Sequence, residues 1–189
     1  MKKVLTIIFA GLVTVGLANA AITPALVNVT GSGPFTWNYE ISVDSLEELV
    51  AGTSYFTLYD FSGLASTPVI TAPTGWTDSV QLLGITPSMQ NPTDSASIEN
   101  ITFTYEGTTP LIGPTTSDIT GFGVQSSLGS SSGVNGTFTY QATKQNSGGS
   151  LDQGIGSIET PASTPEPVTT GLIGLALVGM AVARRKFAR

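Results

Sequence analysis

Histidine and cysteine are both absent from this chain, so any chemistry it performs falls to carboxylates, hydroxyls and a few amines. That removes the general base of a Ser/His/Asp triad, all cysteine nucleophiles and nearly every zinc or copper site. No phosphate-cradling loop of the P-loop kind is present. Glycoside hydrolysis needs only two carboxyl groups placed across a sugar, and twelve carboxylates lie between residues 21 and 164. No pair of them is flanked by a motif, so they are expected at strand ends and in loops. A Ser–Lys pair would have to use Lys144, and nothing around that residue resembles such a site. Calcium is the one metal worth naming, because Asp60, Asp78, Asp94, Asp118 and Asp152 sit in or beside loops. No Asp-rich loop of recognisable spacing joins them, so each reads as a turn acid, and no metal or cofactor is expected. Sugar could instead stack on Trp37, Tyr39, Tyr59 and Trp76. Aromatics at strand spacing are usually core; Trp76, after Gly75 in a turn, is the one expected to be partly exposed as a glycan contact.

The elements that would position these groups are strands. Trp37, Tyr39, Ile41 and Val43 alternate with Asn38, Glu40 and Ser42; Ile101, Phe103 and Tyr105 alternate with Thr102 and Thr104; Phe138, Tyr140 and Ala142 alternate with Thr139 and Gln141. Residues 55–61 carry large side chains on both parities, which predicts a central strand covered on both faces. Weaker strand candidates are residues 26–29, 69–72, 80–85, 122–128 and 155–158. Turn chemistry separates them at Gly31-Ser32-Gly33-Pro34, Thr74-Gly75, Pro110 to Pro114, and Asn135-Gly136. The single helical signal is residues 45–50, where Ser45 and Glu48 fit a capping box. The expectation is an all-β domain over residues 21–160, a single antiparallel β-sandwich of Ig or jelly-roll type. Ser and Thr supply 43 of the residues between 21 and 164, enough to provide much of the polar surface and to accept O-linked sugars.

The two ends of the chain set its topology. Residues 1–20 have a basic start at Lys2 and Lys3, an apolar run over residues 4–17, and small residues at Ala18 and Ala20. This is the pattern of a secretory signal helix cleaved after Ala20. Residues 161–167 form a Pro/Ser/Thr linker ending in Pro165-Glu166-Pro167. Residues 168–183 carry no charge and precede Arg184, Arg185, Lys186 and Arg189. As a transmembrane helix that stretch would reach about 24 Å, short of a hydrocarbon core of about 30 Å. The basic end should stay in the cytoplasm, which places residues 21–167 outside.

Without its ends the chain is far more acidic. Of seven basic residues, two lie in the signal and four in the tail, leaving Lys144 against twelve carboxylates, a net charge of about −11 rather than −6. Such a surface repels phosphate, so no nucleic-acid partner is expected. At this size one core can fold without disulfides.

The Pro165-Glu166-Pro167 motif, the short apolar segment and the Arg/Lys end together resemble the sorting tail of PEP-CTERM proteins. The resemblance covers about 25 residues. It implies passage through the secretion machinery, transient anchoring in the inner membrane, recognition by an exosortase, removal of the tail near the motif, and a bacterium that makes exopolysaccharide. More loosely, residues 55–63 and 100–105 with Ala72-Pro73-Thr74-Gly75-Trp76 look like a recurring ectodomain in front of such tails, which implies fold and location but no activity. The expectation is a non-enzymatic protein of the cell surface or extracellular matrix, associated with exopolysaccharide. The alternatives are a carbohydrate-binding module using exposed aromatics and a glycan hydrolase using two carboxylates.

Overall fold

The computed structural model of the chain describes residues 21–130 and 136–161. The expected signal helix with Ala18 and Ala20, Asn135 of the turn, the Pro165-Glu166-Pro167 motif, the transmembrane helix and the basic end lie outside the described residues.

The described residues are all-β, with strands in two antiparallel sheets and no helix. The smaller sheet runs β1 (Ile22–Thr30), β2 (Phe35–Val43), β9 (Ile119–Ser126), β5 (Ile70–Thr71). The period-two pattern of β2 buries Trp37, Tyr39, Ile41 and Val43 on one face, as alternation requires. Its hairpin with β1 turns through Gly31 and Gly33, at φ of 96° and 110°, values that a side chain would disfavour.

The larger sheet runs β6 (Trp76–Gln81), β7 (Asn100–Tyr105), β4 (Tyr55–Leu58), β10 (Gly136–Lys144), β3 (Glu47–Leu49) and β8 (Leu111–Ile112). β4 and β3 follow one another along the same side of β10, while β11 (Leu151–Ile158) pairs with its other side. The inner faces of both sheets share one core, with Phe122 of β9 at its centre. Its ring lies 5.2 Å from Phe56, 5.1 Å from Phe103 and 5.1 Å from Trp76, all edge to face. Each such contact contributes about 0.5–1.5 kcal/mol beyond the area it buries.

The outer face of the larger sheet is covered too, as the composition of residues 55–61 predicts. The irregular segment 82–99 crosses it and satisfies the hydroxyls beneath. Thr57 Oγ1 and the Tyr59 hydroxyl both donate to Ile85 O, at 3.0 and 2.9 Å. Thr57 and Thr102 share a hydrogen bond of 2.9 Å, and Tyr59 reaches Thr86 at 2.7 Å. Asn100, fully buried, fastens the segment by donating to Leu82 O at 3.2 Å and Asp94 Oδ1 at 2.9 Å, and accepts from Asp60 N at 2.8 Å.

Two expectations about elements are corrected. Residues 45–50 form no helical turn: Ser45 and Leu46 make a tight turn closed by Glu47 N to Asp44 O at 3.2 Å, and Glu47–Leu49 is a strand. Ladder pairing of Glu47 with Lys144 and of Leu49 with Leu111 outweighs a local capping pattern of marginal length. The strand expected at residues 80–85 begins earlier, at Trp76, and ends at Gln81, where the next carbonyl is taken by Asn100.

Candidate functional site: a buried carboxyl pair

Where β3, β10 and β11 meet, register brings two acids to one face. Glu47 lies opposite Lys144, and Asp152 opposite Ala142, two residues back along β10. Even-numbered β10 residues from Phe138 to Ala142 point into the core, so Glu47 and Asp152 open onto the inner face at its edge. Tyr140 stands on the same face, its ring lying against Gly154 of β11, where a Cβ would collide with it.

Glu47 is 5 % exposed and its Oε2 has no hydrogen-bond partner. Burial pushes its carboxyl up to about 7 from 4.5; the charge of Asp152 and a hydrogen bond to it add to the shift, and Lys144 opposes it. The neighbouring negative charge disfavours ionisation, so Glu47 keeps its proton to a higher pH than a free carboxyl. Burial likewise raises the Tyr140 phenol, eased by the Ala21 backbone and reinforced by Asp152, Glu47 and Asp44.

This geometry does not suit sugar hydrolysis. Retaining glycosidases hold their carboxyl groups about 5–5.5 Å apart and inverting ones about 6.5–9.5 Å apart, leaving room for a glycosidic bond. Glu47 and Asp152 are in hydrogen-bonding contact instead.

Among the described residues two clefts lie elsewhere, both against Gly63 and Leu64. One, of about 370 Å³, is lined by Pro34, Leu64, Ala65, Val69, Gln125 and Ser127 among others, and has no titratable residue. The other, of about 330 Å³, lies between Phe61, Leu82 and Ile98 and holds Glu99 as its one carboxylate.

The expected site residues are dispersed or buried. Trp76 is not an exposed platform: it is 8 % exposed and packs edge to face on Phe56, Tyr105 and Phe122. The turn before it, closed by Trp76 N to Pro73 O at 3.0 Å, aims the indole inward. Trp37, Tyr39 and Tyr59 are fully buried. Of the aspartates, Asp60 accepts from Ser95 N at 2.9 Å and Asp94 from Gly84 N at 2.9 Å, so both serve the segment 82–99. Asp78 and Asp118 are exposed and apart, and Asp152 alone joins the pair. Among the described residues no three acids gather where they could hold a metal ion. The Glu47–Asp152 pair was missed in the sequence because its members come from opposite ends of the domain and no local motif marks either.

Comparison with protein families, with characterised proteins and with solved structures finds no match for this chain.

Proposed function

We propose that this chain is an exported, non-enzymatic protein of the cell surface or extracellular matrix, sorted through a PEP-CTERM-type tail and associated with exopolysaccharide. The observation that carries the reading is the tail itself: Pro165-Glu166-Pro167, an uncharged stretch too short for a durable anchor, then Arg184, Arg185, Lys186 and Arg189. In this reading the secretion machinery removes residues 1–20, an exosortase-type enzyme acts at the tail, and the two sheets are an Ig- or jelly-roll-like β-sandwich.

Three features support a role without catalysis. Glu47 and Asp152 are hydrogen-bonded to each other rather than set across a gap, the two clefts described above carry one carboxylate between them, and the aromatics considered for sugar stacking fill the core. The last point leaves the sugar-stacking module without its residues. Mass spectrometry of the native extracellular protein tests the reading: the mature chain should begin at Ala21 and end near the Pro-Glu-Pro motif. A C-terminus intact through Arg189 refutes tail processing.

A further inference from the structure

The carboxyl pair has a neighbour that ordinary burial does not account for. Ala21 is 1 % exposed, its carbonyl accepts from Asp44 N at 3.1 Å, and its backbone nitrogen is hydrogen-bonded to the Tyr140 hydroxyl. The charges of Asp152 from β11, Glu47 from β3 and Asp44 from the turn before β3 all act on that hydroxyl. The nearby cation, Lys144 of β10, is exposed and makes no ion pair with Glu47, whose Oε2 stays unpartnered. A buried carboxylate oxygen without a donor is costly, and an acidic cluster this poor in cations is incomplete.

Hydrolysis of the Ala20–Ala21 peptide bond would complete it. The cut consumes one water and leaves a carboxylate on Ala20 and an α-ammonium on Ala21. We propose that this acidic cluster is the seat of the mature N-terminus, where the new Ala21 ammonium forms a buried ion pair with Glu47 and Asp152. The proposal rests on the export reading, specifically on cleavage after Ala20. An ammonium has three protons to donate, as on a lysine. One goes to the Tyr140 oxygen already bonded to the Ala21 nitrogen, and two remain for the Glu47 and Asp152 carboxylates. Both acids can then ionise, because the charge that separates them comes from the chain itself.

The pairing couples the stability of this corner to processing. Before the cut the Ala21 nitrogen is an amide without charge and offers Glu47 no compensation. After it, the start of β1 is tied by charge to β3, β10 and β11, joining the two sheets at one corner.

The test is amine acylation at neutral pH of the exported protein, purified with its tail, read peptide by peptide in a mass spectrometer. The same spectra give the N-terminus. If it is not Ala21 the export reading fails, and the measurement passes to a chain released at Ala21 from an N-terminal fusion by a site-specific protease, so the two failures are distinct. In the folded protein the Ala21 amine should react at least about tenfold more slowly than in urea, the factor that one unit of pKa represents. Lys144, being exposed, should react similarly in both. Glu47→Gln and Asp152→Asn, checked for folding by tryptophan fluorescence, should each raise Ala21 labelling and leave Lys144 unchanged. Equal Ala21 rates in folded and unfolded protein overturn the proposal. So does protection that survives both substitutions, since burial of the chain end would then suffice.

Discussion

Glu47→Gln should remove a pH dependence that the carboxyl pair imposes on stability while Ala21 is still joined to Ala20. In that state the Glu47 carboxyl titrates at about 7 in the folded protein and at the ordinary 4.5 when unfolded. Between those values the folded chain holds a proton that the unfolded chain releases. Stability is therefore greatest below pH 4.5, falls as pH rises to about 7, and levels off above. At about 1.4 kcal/mol per unit the whole interval is worth about 3 kcal/mol as an upper value. Glu47 lies at the rim of the core beside the exposed Lys144, and solvent screening there lowers the figure further. Glutamine cannot ionise and its amide can donate to Asp152, so the variant should match the parent near pH 4.5 and exceed it by up to about 3 kcal/mol at pH 8. Urea unfolding from pH 4 to 9, on the chain with the Ala20–Ala21 bond intact, measures both curves, and the slopes of the remaining carboxylates cancel in their difference. Parallel curves across that range would refute the assignment. In the chain that begins at Ala21 the difference should shrink, because the ammonium keeps Glu47 ionised.

Trp76→Ala should cost about 3–5 kcal/mol in urea unfolding, as for an aromatic removed from a core; a loss under about 1 kcal/mol would return Trp76 to the surface. Tyr59→Phe deletes the hydroxyl held between Ile85 O, Thr86 and Thr139, and should cost about 1–2 kcal/mol. Hydrogen exchange should then quicken in segment 82–99 ahead of β4 and β7, and uniform quickening would count against that segment as a separate cover.

Legibility followed the number of faces buried. β2 could be read because only its Trp37 face is covered, so polarity alternates cleanly. β7 was half legible: Ile101, Phe103 and Tyr105 marked the inner face, but Thr102 suggested solvent, and it is buried together with Asn100 beneath segment 82–99. Asn100 donates to Leu82 O, and Thr102 bonds Thr57, whose own hydroxyl donates to Ile85 O; such carbonyls leave no trace in a sequence. Ser45 and Glu48 misled for a related reason. Their spacing is a local signal, whereas the pairing of Glu47 with Lys144 is decided by β10, far along the chain. The same distance hid the carboxyl pair, since neither Glu47 nor Asp152 is unusual in its own neighbourhood.

The three-layered burial of β4 and β7 has a consequence for anything that would decorate this protein. Ser54, Thr57, Thr102, Ser126, Thr139, Thr143 and Thr160 are sealed inside the folded domain. A glycosyltransferase or kinase acting after folding loses these seven of the 43 acceptors between residues 21 and 164. Any sugar found on Thr57 or Thr102 would have been attached to the chain before its strands closed, and would mark the enzyme that attached it as one acting on unfolded chains.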